Sequence, residues 1–588
     1  MSTEHIYNLV IRFPGPLEAK WNAAMVETVV EDSSNLAAVA ELRFRDPDHK
    51  FFTETGVTIG SKVDLKVKPA QLAAVDLFAG EVVTMETQFD GHGSFAVVRA
   101  LDLSHRLMRG QRVRSFVKQT ASVIARDLVS SAGVPVGKID SFSRSYDMIT
   151  QPNVSDWEFL KMLAVDNEAE AVMVDGKFFF RKSERASTGP GAGLTPEQSP
   201  KVVDIQKNVL AVRSTVTSVG QVPRVTVRGW DPVRKKAVKT EVRTAPSAEL
   251  DIRMKPATAI APFRSTAGLN ITDVPYETDA ETRTVANAVA ADVTAALAEL
   301  EVGVRGRPEL RAGVAMSLQK LGPDFDGKYT ITSSRHVFQQ AEPYETWVTV
   351  SGRQDRTMYG LAGGTSAPVR PVRVPGMAIG IVTDTKVDAD PRSRGRSRNR
   401  KNQGWVRLRF PWLTDDNEYQ TDWVRTVQLG GAGGGGVFVP EINDEVLVGF
   451  EQGLLDRPYV IGGLYNGKDN PSRDHEGDLI DRTTGKVNRR SIASRSNDRI
   501  ELLDFRLKPQ GIRLATEKDR LFIFLDRFRE KIVVDSKGDI EIEAMADVEI
   551  RGRDINLQAG RKLRLSAPQV EIEGRVDVDI HAPIVKLN

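Results

Sequence analysis

The chain has 588 residues, 40% of them hydrophobic and 27% charged, with a formal net charge of +2 and no cysteine. That length suits several domains, and the near-neutral charge gives no bulk field for nucleic acid or membrane. The missing cysteines exclude disulfides and thiolate metal sites and fit folding in a reducing cytoplasm. The start, MSTEHIYNLVIRF, lacks a charged region followed by an apolar one, and no apolar run is long enough to span a bilayer. Export is therefore expected by a route other than a cleaved signal.

In chain order, YNLVIRF, LAAVAELRF, SKVDLKVKP and GEVVTMETQFDGHGSFAVVRALDL alternate apolar and polar residues and predict strands of a small barrel or sandwich over 1–110. Residues 111–187 read as a mixed insertion. SFVKQTASVIARDLVSSAG predicts a helix with Val117, Ile124 and Leu128 on one face, stopped at Gly133. Ser155 and Glu158 have capping-box spacing, ahead of a stripe of Trp157, Leu160 and Ala164. Asp175-Gly176 predicts a hairpin turn. A second β-rich unit is expected over 188–360. One helix interrupts it, carried by Val285, Val289, Val293 and Leu297 and ending before Gly303.

Residues 361–375 have linker composition. Short strands then predict a Greek-key barrel of the OB type over 376–467, followed by a polar, irregular connection over 468–512. In the last stretch, 513–588, apolar residues pair two apart: Ile540/Ile542, Val548/Ile550, Ile555/Leu557, Leu563/Leu565, Val570/Ile572, Val576/Val578 and Val585/Leu587. Each short strand has one apolar face that it cannot bury alone. Three copies in one register bury all three faces around a common axis, giving a needle of on the order of 35 Å at about 4.8 Å per step. The alternative is a single-chain solenoid, whose coils need longer repeats.

In LGGAGGGGVFVPEINDEVLVGF, residues 429–450, six glycines crowd into the seven residues 430–436. A phosphate loop needs Lys-Ser/Thr opening a helix, and here strands follow instead. The glycines are expected to make a hairpin or a close backbone approach.

From GWVRLRFPW through DWVRTVQLGGAGGGGVFVPEINDEVLVGFEQGLLDRPYVIGGLYNGKDNP the chain resembles the OB domain of VgrG-type spikes. These are relatives of contractile phage tail spikes, found in type VI secretion and extracellular contractile injection systems. The motifs carrying the resemblance are Phe410-Pro411-Trp412, Val437 to Pro440, Glu445 to Val448, Asp456-Arg457-Pro458 and Gly463-Leu464-Tyr465-Asn466. QPNVSDWEFLKMLAVDNEAEAVMVDGKFFF is similar to the hub portion of the same family. The resemblance implies a mainly β, multidomain homotrimer: two barrel-like hub units per chain, an OB collar shaped by Pro458 and Gly463, and a triple-stranded needle.

The function it implies is the central spike of a baseplate, joining the inner tube to a membrane-puncturing needle without enzymatic activity. Its implied partners are tube and baseplate subunits, a conical PAAR-type tip protein at the needle end near Ile584 and Leu587, and possible effector cargo. It is assembled in the cytoplasm and delivered outside within a phage tail-like particle. Some relatives carry a lysozyme domain after the collar; the polar gap here is too short for one. A chain with no appended domain leans toward an extracellular or phage-like particle over a type VI system.

No catalytic, cofactor or metal set is expected. His581 lacks the paired-histidine pattern of iron-holding tips, and His92 sits in a turn. Two alternatives remain: a cell-wall hydrolase, which needs paired carboxylates, and nucleic-acid binding through Arg392, Arg394, Arg396, Arg398 and Arg400. The strands flanking that run lack an obvious row of exposed aromatics for base stacking, so a solvated loop or one docking on an acidic partner surface is the reading preferred.

Overall fold

A computed structural model of the chain describes residues 7–586, apart from 35, 70–72, 168, 183, 233, 264–266, 353–372, 387–403, 414–418, 432, 472–476 and 508. The chain divides into two compact units, Met1–Tyr465 and Asn466–Asn588.

The first unit is built on a ten-stranded sheet. Its order is Tyr7–Arg12, Lys62–Pro69, Val75–Asp90, Gly93–Asp102, Val39–Arg45, Met25–Ser33, Ser333–Gln339, Glu345–Val350, Ala298–Arg305 and Val209–Val216. The strands expected in the N-terminal stretch are present. Alternation explains them: Ala40, Leu42 and Phe44 are buried while their neighbours face outward. Phe44 stacks on Phe51 at 4.5 Å between ring centroids at the centre of the first core.

The two β-rich stretches are not separate sheets. Met25–Ser33 pairs antiparallel with Ser333–Gln339 and fuses them. Beside that seam the Arg311 guanidinium lies 3.6 Å from Asp32 and 2.7 Å from Asp175. It ties both β-rich stretches to the insertion's hairpin turn.

In the insertion, Ser155 caps the helix Asp156–Asp166 and Glu158 returns the bond, so the capping box is complete. Trp157, Leu160 and Ala164 are buried as the stripe requires. Asp175 and Gly176 both have positive φ, the geometry of a tight hairpin turn between Ala169–Val174 and Lys177–Lys182. One expectation is corrected. Val117 belongs to a strand, Arg112–Thr120, and the helix begins only at Ala121. Thr120 caps that helix, which runs to Ser131, and Gly133 takes φ +64° just beyond it. The β-branched and aromatic run before Thr120 favours pairing with Ser145–Val154 over extending the helix.

The later helix spans Asp279–Ala295 and its N-terminus is a second capping box, Thr278 with Glu281. Its fully buried face is Thr282, Ala286, Ala290 and Thr294, with Val285 and Val289 half-buried beside it, and Leu297 lies past its end. Small side chains let it sit closely on the strand Arg224–Asp231, against Val225 and Val227. Gly303 is no helix stop. It lies inside the strand Ala298–Arg305 under the Trp347 ring, where a Cβ would come within 2.9 Å of ring carbons.

A five-stranded sheet follows, in the order Arg407–Arg409, Met377–Asp384, Glu445–Phe450, Pro458–Gly463 and Arg425–Thr426. Its core holds Val382, Leu408, Phe410, Tyr419, Val446, Val448 and Val460, joined by Val113 from the insertion. The stretch 436–440, read as a strand, pairs among the described residues only through the single bridge between Leu429 and Gly436. The linker, 361–375, lies largely outside the described residues.

The second unit opens with a five-stranded antiparallel meander: Arg489–Ala493, Arg499–Asp504, Gln510–Ala515, Leu521–Asp526 and Lys531–Ser536. The stretch read as irregular thus contains strands. Residues 537–586 pair with no other described strand.

Candidate functional site

Three features stand out: a junction, a glycine hairpin and two bare apolar surfaces. The junction joins the five-stranded sheet of 377–463 to the helix Asp279–Ala295. Arg457 reaches Glu277 at 3.0 Å and Glu281 at 3.5 Å. Glu281 uses its other oxygen to accept from the backbone of Glu277 and Thr278, closing the helix cap. One arginine therefore grips the residue that starts the helix. Burial pushes the Glu277 carboxyl above its usual range, and Arg457 pulls it back. Gln452 donates to the Thr272 carbonyl at 3.2 Å, and Arg373 to that of Asp273 at 3.0 Å. Arg457 sits in the Asp456-Arg457-Pro458 motif, and its partners could not be read from the sequence.

Replacing Arg457 by alanine is expected to leave Glu277 and Glu281 facing each other without a counter-charge. The loss is about 2 kcal/mol for this partly exposed pair, roughly a 30-fold drop in amide exchange protection. Hydrogen exchange at residues 278–282 measures it. Lysine should restore only part, because it offers one point charge in place of a fork.

The glycine hairpin is a close backbone approach, as expected. Gly436 N–H donates to the Leu429 carbonyl at 2.9 Å. Gly430, Gly433 and Gly435 have φ of +139°, +80° and +106°, and a Cβ at Gly435 would lie 2.2 Å from the Leu429 oxygen. Gln428 pins the far side, its Oε1 accepting from Phe438 N–H at 2.7 Å. No helix follows, so no helix N-terminus faces the loop. Val427, Leu429, Val437 and Phe438 project from it exposed.

The meander of the second unit has an inverted character. One face carries charge and is buried: Arg499 against Glu501 at 3.1 Å and also against Asp519, and Arg513 against Asp519 at 2.9 Å and over the Phe522 ring at 4.8 Å. The other face is apolar and bare. Ile500, Leu502, Ile512, Leu514, Ile523, Leu525, Ile532 and Val534 are 42–69% exposed. An open groove of about 520 Å³ runs among Leu502, Ile512, Leu525 and Ile532. Along 537–586 the paired apolar residues are bare too, from Val585 at 50% to Val576 at 94%. An isolated strand has nothing to bury its face against.

Of the residues singled out from the sequence, Phe410 is buried and packs on Trp412 at 5.7 Å between ring centroids. Trp412 is half exposed, and its indole N–H donates to the Ile379 carbonyl at 3.0 Å. Pro411 is exposed beside it. Pro458 begins the last strand of the sheet and Gly463 ends it, with Tyr465 projecting into solvent just beyond. Ile584 is bare. Arg392, Arg394, Arg396, Arg398, Arg400 and Leu587 lie outside the described residues. Among the described residues no group of histidine and carboxylate side chains could hold a metal, and no helix is long and apolar enough to cross a membrane. His92 lies in a turn capped by Asp90, whose carboxylate accepts from the His92 backbone N–H, and His581 is exposed.

Residues 379–465 match the family described as the type VI secretion system/phage-baseplate injector OB domain, and residues 26–340 match the Alg8 N-terminal domain. The actin cross-linking toxin VgrG1 of Vibrio cholerae serotype O1 is 27% identical over 183 residues, 30% of this chain and 16% of the toxin. The type VI secretion system spike protein VgrG2a of Pseudomonas aeruginosa is 35% identical over 71 residues, 12% of this chain and 8% of that protein. The matches thus span less than a fifth of either relative's length. Among solved structures, the half-lidded Francisella PdpA-VgrG complex aligns with a TM-score of 0.51 at 9% identity, over 91% of this chain and 87% of that one. The lidless PdpA-VgrG complex aligns with a TM-score of 0.50 at 8% identity, over 91% and 98%. At these identities the likeness is one of fold.

Proposed function

This chain, with an Alg8 N-terminal domain ahead of an injector OB domain, belongs to the VgrG-type spike/hub proteins of contractile injection systems, and from that premise we propose that it works as a homotrimeric mechanical spike. The ten-stranded sheet and its insertion form the hub that meets the inner tube and baseplate subunits. The OB domain is the collar, and 489–588 is the shaft that leads through a target envelope. A PAAR-type protein caps the end near Ile584, and effector cargo travels with it. The chain does no chemistry of its own. It assembles in the cytoplasm as part of a phage tail-like particle and leaves the cell within it.

The observation that carries this reading is the bare apolar register of the second unit. Fully burying one such side chain stabilises by roughly 1.5–3 kcal/mol. Leaving this many in water is tolerable only until further copies cover them. A patch closed by symmetry, with identical strands in one register, needs identical partners.

Light scattering tests it. The full chain is expected at the mass of three copies of 64.8 kDa. A chain ending at Asp535, which keeps the meander but loses the paired repeat, is expected to dissociate at higher concentration than the full chain. A full chain that stays monomeric at micromolar concentration sinks the spike reading. The hydrolase and nucleic-acid readings gain no observation from the described residues.

A further inference from the structure

The first unit contains a three-stranded sheet in the order Lys236–Arg243, Arg224–Asp231 and Leu269–Tyr276. Its inner face is ordinary core: Val225 and Val227 pack on Ala286 and Ala290 of the helix Asp279–Ala295. That burial fixes which side chains face outward. There Arg224 stands directly opposite Arg243, Thr226 opposite Glu241, Arg228 opposite Lys239, and Trp230 opposite Ala237. Two of these four rungs set like charges face to face, which destabilises a sheet. Lys239 is answered by Glu241 at 3.6 Å. Arg224, Arg228 and Arg243 are exposed and make no ion pair with any described residue. The third strand offers no relief, because its single acidic side chain, Asp273, is held by Arg373 at 3.4 Å. The outer face of the first two strands therefore carries +3, while the whole chain carries only +2. On the next rung the Trp230 indole is 50% exposed. Nothing in the folding of one copy calls for this arrangement, and threonine or valine would serve the sheet better.

We propose that the outer face of Arg224–Asp231 and Lys236–Arg243 is a docking surface for an acidic protein, with the arginines taking its carboxylates and Trp230 as the apolar anchor. Charge complementarity names the partner's chemistry. Guanidinium forks suit carboxylates, and arginine and tryptophan are the side chains enriched where protein surfaces meet. The spacing favours protein over nucleic acid. The two cationic rungs are about 13 Å apart, four residues along the strand, with the Glu241 carboxylate between them. A phosphate backbone carries charge without a gap and would have to lie over Glu241. A protein can place carboxylates at the two rungs and leave the middle neutral, about four residues apart on a strand or about nine on a helix. The inference goes beyond the spike reading and does not depend on three copies assembling.

The test uses the full chain and two labelled probes at low salt, poly-L-glutamate of about 20 residues and oligothymidylate of about 20 nucleotides. The double variant Arg228→Glu, Arg243→Glu turns both like-charge rungs into opposite-charge pairs. Its melting temperature is expected at or above that of the wild type, so lost binding is not lost fold. Binding of poly-L-glutamate is expected to weaken roughly tenfold or more. The control Lys68→Glu, Arg126→Glu makes the same charge change at two exposed positions elsewhere and should leave binding within about twofold. Arg228→Thr with Arg243→Thr only removes charge; it is expected to weaken binding about threefold and gives a reading if the glutamate variant fails to fold. Equal losses in the Arg228/Arg243 variants and the control, or no binding by the wild type, overturn the proposal. Tighter binding of oligothymidylate through the same arginines also overturns it, in favour of nucleic acid. So does a glutamate variant whose mass by light scattering falls below that of the wild type, since the face would then be covered by a second copy.

Discussion

Ile512→Glu is expected to turn the full chain from a trimer into a monomer at micromolar concentration. Ile512 lies at the middle of the bare face, on Gln510–Ala515, the central strand of the meander. The variant removes an apolar contribution of roughly 1.5–3 kcal/mol per copy. It also asks three carboxylates to enter one apolar interior without partners, at a cost of several kcal/mol each. The single-chain sheet should survive. Position 512 is 43% exposed in one copy, and the buried charges of Arg499, Glu501, Arg513 and Asp519 lie on the opposite face. Light scattering with far-ultraviolet circular dichroism separates the two effects. Lys537→Glu, at an exposed position after the last strand, is the control. A trimer of unchanged melting temperature in the Ile512 variant would show that this face is not where copies meet.

The second large effect is expected at Gly511, one residue earlier, and it acts inside one copy. Gly511 has φ +136°, and a Cβ there would lie 1.9 Å from the Leu525 carbonyl oxygen. No other residue adopts that φ cheaply; the strain alone is about 1–3 kcal/mol. The overlap is with backbone, so a methyl group can be admitted only by parting Gly511 from Asp526 in the ladder. Gly511→Ala should therefore cost about 3 kcal/mol and remove exchange protection across 499–526. Gly560→Ala, with no atom within 4 Å and no unusual φ, should do nothing measurable.

Much of the first unit could be read from local chemistry. The Ser155–Glu158 box, the Asp175-Gly176 turn and the alternation over 7–102 are each decided by neighbours in sequence, and each is found as expected. The failures lie where tertiary packing overrides local preference. Val117 looked helical because its spacing to Ile124 fits 3.6 residues per turn, yet Ser145–Val154 is available as a strand partner. Gly303 looked like a helix terminus, yet the Trp347 ring is what demands glycine there. Fusion of the two β-rich stretches through Met25–Ser33 and Ser333–Gln339 pairs residues some 300 apart, beyond any local pattern.

At the candidate site the glycine hairpin was legible, because its only competing reading needs a helix that the residues cannot form. The Arg457 clasp was not, since Glu277 and Glu281 are remote in sequence and arginine is common on surfaces. Strands over 489–515 were hidden by their alternating charges. Arginine and glutamate at alternate positions read as solvated, whereas here they neutralise one another and leave isoleucine and leucine outside.

The connectivity of that meander has a kinetic consequence. Every strand from Arg489 to Ser536 pairs with the one next to it in sequence. Such hairpins close in about 1–10 μs. A second copy at 1 μM, arriving with an ordinary rate constant of about 10⁵–10⁷ M⁻¹s⁻¹, takes on the order of 0.1–10 s. For several orders of magnitude in time, each newly made chain therefore presents a finished, adhesive surface with nothing to cover it. Where further copies cover that face, as proposed, yield is expected to rise with the local concentration of chains during that interval. On the proposed trimer, chains made close together are expected to cover this face sooner than scattered ones.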